Sequence, residues 1–183
     1  MFVFKEFSLE NYTIQLVMPE EHHAEELFNI VNNDRCTLSR WMPWTETTNS
    51  IEDEKRFLNY SRIQYAKYEL FMTTILVNGI PGGMVDLHNI NKTNRTAEFG
   101  YWLSSEHQGH GIMSKSVKQM LNYAFDDLKL HKVILQTDSE NTKSIEIANR
   151  LGFSLEAILK DQIFYDKQFK DLNIFAKFAN SKT

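Results

Sequence analysis

Two glycines flank a histidine in the stretch EHQGHGIMSK, residues 106–115, directly before a run of apolar residues at helical spacing. Glycine destabilises the interiors of helices and strands, so this pair needs a physical reason. The first turn of a helix leaves four N–H groups without partners and carries partial positive charge. Because Gly109 and Gly111 allow close backbone approach, the loop is a candidate site for a phosphate or diphosphate. An ordinary connecting loop is the alternative that this local pattern leaves open.

The common nucleotide-binding motifs do not fit this loop. A P-loop ends in Gly-Lys-Ser/Thr, which is absent here. The dinucleotide fingerprint requires a third glycine and a preceding parallel strand, whereas residues 98–103 resemble part of an antiparallel meander. Neither nucleotide-binding motif therefore explains the loop.

The composition of the chain limits the classes of protein to which it can belong. The chain has 183 residues, of which 42% are apolar and 13% aromatic, and it lacks repeats and linkers, so we expect one folded domain over residues 1–183. Its apolar runs are too short for a bilayer, no signal peptide is apparent, and the single Cys36 excludes an internal disulfide framework, which together predict a cytoplasmic protein. A net charge of −4 without a basic block argues against nucleic-acid binding, and no residues have metal-ligand spacing.

Periodicity and turn signals predict a mixed arrangement of strands and helices. Ser50 and Asp53 resemble a capping box that opens a helix with Phe57, Leu58, Ser61 and Tyr65 along one side. Asn78-Gly79 is a strong hairpin signal, and Pro81-Gly82-Gly83 is expected to distort the start of the return strand. The expected strands are 12–18, 70–77, 80–89, 96–103, 133–137, 154–159 and 171–178. The expected helices begin after Pro19, at Ser50, near Ile112 and at Asn141, and the third of them is expected to reach Leu128. This order, βααβββαβαββ, predicts an α+β or mixed α/β layered domain with a mostly antiparallel sheet.

Four motifs in this order resemble one enzyme superfamily. Residues 108–113 (QGHGIM) resemble the diphosphate-binding loop of the GNAT N-acetyltransferases, Gln/Arg-x-x-Gly-x-Gly/Ala. NRTAEFGYWL upstream, ENTKSIEIANRLGF downstream and LSRWMPW before the second helix match the same superfamily. Together they resemble the RimJ/RimL type, over residues 12–178. Met113 departs from the pattern, which often has Gly or Ala there.

The resemblance implies a place for acetyl-CoA, as a cosubstrate and without a metal. The cofactor would lie in a V-shaped opening between strands 96–103 and 133–137, with backbone N–H groups of the glycine loop on its diphosphate. The implied cofactor-binding residues are Trp102, Leu103, Ser104, Gln108, Gly109, His110, Gly111, Ile112, Met113, Ser114 and Asn141.

Catalysis requires a base, because an amine attacks a thioester only in its neutral form. Glu98 is the first candidate, since it shares a strand face with Gly100 and Trp102, and a structural pairing is the alternative. Glu106 and Asp86 are reserve candidates. The resemblance places Ser144 beside the sulfur of coenzyme A and Asn141 beside the pantetheine, and Asn141 also suits a helix N-cap.

Acceptor contacts are expected from Trp41, Trp44, Asp86 and His88. The two tryptophans are alternatively core residues, and His88 is alternatively a base or a structural residue. The leading function is acetylation of a protein N-terminal α-amine, as on a ribosomal protein, by direct attack in a ternary complex. The alternatives are acetylation of a polyamine, amino acid or aminoglycoside, and acyl-CoA binding without turnover. A homodimer is a further expectation, whereas nucleic-acid and membrane partners are not expected.

Overall fold

The computed structural model describes residues 1–179, whose strands form one 8-stranded sheet in the order β1-β2-β3-β4-β5-β6-β8-β7. Neighbouring strands pair antiparallel, except β5 and β6, which pair parallel. The strands are β1 Val3–Leu9, β2 Tyr12–Val17, β3 Phe71–Val77, β4 Ile80–Asn91, β5 Thr96–Leu103, β6 Lys132–Asp138, β7 Ser154–Tyr165 and β8 Gln168–Phe178. The predicted α+β architecture with a mostly antiparallel sheet is confirmed.

The helices cover both faces of this sheet. They are α1 Ala24–Asn33, α2 Arg35–Leu38, α3 Ile51–Ala66, α4 Ile112–Asn122 and α5 Thr142–Arg150. The predicted N-cap of α3 is confirmed, because the Ser50 side chain accepts a hydrogen bond from the amide of Asp53. None of the helices in residues 1–179 is long and apolar enough to cross a membrane.

Two buried clusters fix the layers. The larger joins α4 to one sheet face, where Ala97, Phe99 and Leu103 of β5 pack with Val117 and Met120. The smaller joins α1 and α3 to the other face and includes Leu58, Met72, Met84 and Trp102. The alternation expected in β5 is therefore confirmed, and Trp102 points to the side opposite Phe99.

The hairpin between β3 and β4 follows its local sequence. Asn78 and Gly79 have φ of 51° and 86°, as a type I′ turn requires. The register then shifts, because Leu76 pairs with Pro81 and Ile75 with Gly83. The distortion expected from Pro81-Gly82-Gly83 is thus present as a bulge.

Several elements of the structure differ from the prediction. The strand β1 was not expected, and β7 and β8 extend six and three residues further towards their connecting turn than 154–159 and 171–178. The helix expected to reach residue 128 is α-helical only to Asn122, and a π-helical turn continues it from Tyr123 to Asp127. The long pairing of β7 with β8 stabilises residues that are mostly exposed and carry little periodic signal.

Candidate active site

The central feature of the site is a splay between β5 and β6. Their parallel pairing runs from Thr96–Lys132 to Phe99–Leu135 and ends there, although β5 continues to Leu103 and β6 to Asp138. The strands diverge beyond these residues and open a cleft of about 1230 Å³. The cleft is bordered by β5, β6, the start of α5, α3 and the segment before α3. This is the V-shaped opening that the resemblance implied.

The free edge of β5 faces this opening with alternate peptide groups. Ser104 donates its N–H to the carbonyl of Gly82 at 2.8 Å, so that amide is turned towards β4. Leu103 points the other way, because its carbonyl accepts from Nε2 of Gln108 at 2.9 Å. In an antiparallel strand the direction alternates, so Tyr101 and Leu103 present backbone groups to the opening, while Trp102 pairs with β4.

The glycine loop forms the N-terminus of α4 with its amides free. Gly109 and Gly111 have φ of 85° and 76°, in the region that favours glycine, and the space where a Cβ would stand is open at both. The first amide of this segment with a backbone acceptor is that of Lys115, which donates to Gly111. Among the described residues, the N–H groups of residues 109–114 have no hydrogen-bond acceptor, as an anion site at a helix N-terminus requires.

Side chains of this loop are held by the core and by α5. Ile112 and Met113 are buried in the larger cluster, so their amides, and not their side chains, are available to a ligand. Ser114 accepts from Nη1 of Arg150 at 2.8 Å. His110 is exposed and packs against Tyr12, with ring centroids 5.2 Å apart.

Two cations of α5 beside this loop were missed in the sequence. Lys143 donates to Oε1 of Gln108 at 2.7 Å, and Arg150 donates to Ser114. They lie seven residues apart, two helical turns, and therefore share one face of α5. That spacing, next to the matched ENTKS motif, was the available signal. Their positive charge adds to the attraction of the loop for a phosphate.

The predicted base and its neighbours form a hydrogen-bonded group on the cleft wall. Glu98 lies directly opposite His88 in the β4–β5 register. Its carboxylate accepts from Nδ2 of Asn89 at 3.1 Å and from Nε2 of Gln136 at 2.8 Å, and lies 3.7 Å from Nε2 of His88. Nδ1 of His88 is 2.7 Å from Oδ1 of Asp86. The hydrogen bond to Asp86 raises the pKa of His88 above its usual value, although burial opposes this shift.

The reserve base Glu106 lies elsewhere. It belongs to a short 3-10 turn, Ser105–His107, and is exposed and outside the cleft lining. Asp86 does line the cleft. Its carboxylate lies against Gly100, so that a Cβ added to Gly100 would be 2.6 Å from Oδ2 of Asp86. A side chain at position 100 would therefore require the Asp86 carboxylate to move.

Ser144 and Asn141 sit where α5 meets the cleft. Asn141 is the N-cap of α5, and its Oδ1 accepts from the amide of Ser144 at 3.2 Å. Both residues line the cleft beside Tyr101. Burial raises the pKa of Tyr101 to about 12, and the nearby Ser144 partly opposes this shift. The enclosed Tyr101 hydroxyl nevertheless has no hydrogen-bond partner that meets the usual distance and angle limits among the described residues.

Tryptophan side chains border the other end of the cleft. Trp41 carries Arg40 over its ring, with the guanidinium carbon 4.5 Å from the centroid. Trp44 is 36% exposed and lies 5.9 Å from Trp102 between ring centroids. Both line the cleft with Asp86 and His88, so all four residues expected to contact the acceptor are brought together.

A family model described as an acetyltransferase (GNAT) domain matches residues 13–154, well over half of the chain. The chain therefore belongs to the GNAT acetyltransferases and is an N-acetyltransferase. Acetyl-CoA, the acetyl donor of this family, is its cosubstrate, as the sequence predicted.

Its relatives include acetyltransferases named for ribosomal proteins and for a polyamine. YdaF of Bacillus subtilis (strain 168), provisionally named a ribosomal N-acetyltransferase, is 30% identical over 164 residues, which are 89% of this chain and 88% of YdaF. The ribosomal-protein-serine acetyltransferase of Escherichia coli (strain K12) is 25% identical over 93% of this chain and 95% of its own length. The spermidine N(1)-acetyltransferase of Vibrio cholerae is 30% identical over 78% of this chain and 80% of its own.

A solved structure shows the same fold with ligands bound. The microcin C7 self-immunity acetyltransferase MccE, in complex with acetyl-CoA and AMP, matches with a TM-score of 0.84 and 28% identity. The match covers 90% of this chain and 92% of MccE.

Proposed function

We propose that the protein transfers the acetyl group of acetyl-CoA to a protein N-terminal α-amine, with a ribosomal protein as the type of acceptor. The observation that carries acetyl transfer is the set of free amides at residues 109–114, which the Lys143–Gln108 hydrogen bond ties to the start of α5, where Asn141 and Ser144 line the cleft. Each hydrogen bond to a charged group contributes about 1.5–3 kcal/mol, so a few amides suffice to hold a diphosphate. The ribosomal-protein relatives support the choice of acceptor.

In this proposal Glu98 removes the proton of the amine, directly or through water. The amine nitrogen forms a bond to the acetyl carbon, the carbon–sulfur bond breaks, and the amine proton leaves with Glu98. His88 is the poorer base at neutral pH, because its raised pKa favours the protonated form. It serves instead to fix Asp86 and Glu98 in the cleft wall.

Ser144 and Tyr101 would assist the departing sulfur. Ser144 is a weak acid, so it stabilises the thiolate by a hydrogen bond more readily than by complete proton transfer. Tyr101 is protonated at neutral pH, since burial raises its pKa still further above neutrality, and its hydroxyl has no partner among the described residues, so its proton is available for a hydrogen bond. Positioning of the two reactants supplies several kcal/mol more.

A small amine is the second candidate acceptor. The cleft carries more acidic than basic lining residues, among them Asp86, Glu98 and Asp138, which favours a cationic molecule. The spermidine acetyltransferase among the relatives supports the same class. Acyl-CoA binding without turnover is disfavoured because the relatives are named acetyltransferases.

The acceptor is tested by incubating the purified protein with acetyl-CoA and a panel of amines. The panel contains peptides with free N-termini, the same peptides with blocked N-termini, and polyamines. Release of the coenzyme A thiol is measured with a colorimetric thiol reagent. Turnover with free but not blocked peptides supports the proposal. Turnover with polyamines alone selects the second candidate, and coenzyme A binding without turnover with any amine contradicts both.

Three wider expectations belong to the same proposal. Residues 1–183 form one acetyltransferase unit, the protein acts in the cytoplasm, and two copies associate as a homodimer. Sedimentation of the purified protein measures the last of these directly.

A further inference from the structure

The helix α3 carries a carboxyl group on its inward face. Residues at helical spacing point to the sheet, with Ile51 and Leu58 packed in the smaller cluster. Glu54 lies between them on the same stripe and is only 3% exposed. Glutamate is almost never this buried without a partner, because removing a carboxylate from water costs several kcal/mol.

Glu54 has no partner within the described part of the chain. No hydrogen bond or ion pair reaches its side chain, and burial alone raises its pKa to about 7. Its side chain lines the cleft. Its oxygens lack a partner among the residues that the structure describes but are not fully enclosed by protein atoms. The carboxyl group therefore contacts the cleft, where a ligand can reach it.

The cleft that Glu54 lines favours a positive group. Two arginines line the cleft, but Arg40 is paired with Glu140 at 2.9 Å and Arg56 with Asp53. Exposed aromatic rings border the same cleft: Trp44, Phe57 and Tyr60 are 36%, 39% and 54% exposed. Aromatic faces attract ammonium groups, and a carboxylate in the same cleft adds to that attraction.

We propose that Glu54 is a specificity residue of the acceptor site, which binds a second ammonium group of the acceptor, several bonds from the amine that is acetylated. This inference rests on the proposed function, because it assigns the second group to the same acceptor. Two sources supply this chemistry: an alkyl diamine, or a peptide with a lysine close to its free N-terminus. The unpaired carboxyl reduces stability in the free protein and is compensated when the ammonium group binds.

The test compares acceptors that differ only in the second charge. The pairs are 1,4-diaminobutane with 1-aminobutane, and a Ser-Lys peptide with the same peptide carrying norleucine in place of lysine. We expect the parent to prefer the charged member of at least one pair by about tenfold or more in kcat/KM, chiefly through KM. The pair that shows the preference identifies the source.

Glu54→Gln should reduce the ratio of kcat/KM between the charged and the uncharged acceptor of that pair to about one. The kcat/KM of the uncharged acceptor should change far less than that of the charged one. Glu52→Gln is the matched control, because Glu52 lies on the same helix, is 68% exposed in its side chain and is paired with Lys55. Merely structural damage would lower both acceptors of a pair alike. A preference in Glu54→Gln equal to that of the parent overturns the inference while leaving acetyl transfer intact.

Direct binding separates this inference from the proposed function. Calorimetry of 1,4-diaminobutane and of the Ser-Lys peptide is carried out with coenzyme A present, so no turnover is needed. Binding that Glu54→Gln loses and Glu52→Gln keeps supports the inference even if no acceptor is acetylated. Equal binding to the parent and Glu54→Gln, or no binding to the parent, overturns it.

Discussion

Replacing Glu54 by glutamine should stabilise the protein at high pH and not at low pH. Burial raises the pKa of this carboxyl group to about 7, from 4.5 in an exposed state. The folded protein therefore holds the proton more tightly than the unfolded chain. Glu54 does not change the free energy of unfolding below about pH 4.5, where its carboxyl group is protonated in both states. Between about pH 4.5 and pH 7 it lowers the free energy of unfolding progressively, and above pH 7 its destabilising effect is complete.

The size of the effect follows from the two pKa values. One unit of difference corresponds to about 1.4 kcal/mol, so the full penalty above pH 7 is about 3 kcal/mol. At pH 5 most of this penalty is absent, which leaves a difference of about 2–3 kcal/mol between pH 5 and pH 8. In a domain of this size, that corresponds to about 5–10 °C in the melting temperature.

The assay is thermal unfolding of the parent and of Glu54→Gln at pH 5 and pH 8. Glutamine keeps the shape and removes the charge, so any cost of burying its amide is the same at both pH values. The gain of the variant over the parent should therefore grow with pH. Glu52→Gln, at an exposed position on the same helix, should show no such growth. A gain for Glu54→Gln that is equal at pH 5 and pH 8 would refute the reasoning.

Three further predictions concern the cofactor loop and the reaction. Gly111→Asp should weaken coenzyme A binding about tenfold or more in calorimetry, because it strains a backbone at φ 76° and brings negative charge to the free amides. Gly79→Asp, at φ 86° in the β3–β4 hairpin, is the control and should bind coenzyme A as the parent does. Equal affinities of the parent and Gly111→Asp would count against the loop as the diphosphate site. Glu98→Gln should lower kcat more at pH 7 than at pH 9, where more of the amine is already neutral, and a profile parallel to the parent's would remove Glu98 as the base. Ser144→Ala should lower kcat by about tenfold with little change in the KM for acetyl-CoA; a change confined to that KM would assign Ser144 to binding alone.

The residues alone predicted most of the framework, including the hairpin and the glycine loop, whereas the opening between β5 and β6 was expected from the family resemblance. Asn78 and Gly79 impose their turn locally, and Ser50 caps α3 by reaching only three residues ahead. The sequence did not predict the inward face of α3 correctly. Phe57 and Tyr65 were expected on the same side as Leu58, yet they are 39% and 37% exposed. The stripe that points inward instead includes Glu54, whose charge gives no apolar signal.

The sequence by itself determined the turns, the helix caps, the periodic faces of most elements and the free amides before α4. These features depend on interactions between residues that are only a few positions apart in the chain. Tertiary structure decided which distant groups meet. Gln108 meets Lys143 across 35 residues of chain, and Gln136 meets Glu98 across 38. The burial of Glu54 likewise depends on the packing of α3 against the sheet. Such contacts form only when the whole core closes, because the hydrophobic packing that brings them together acts between segments that are far apart in sequence.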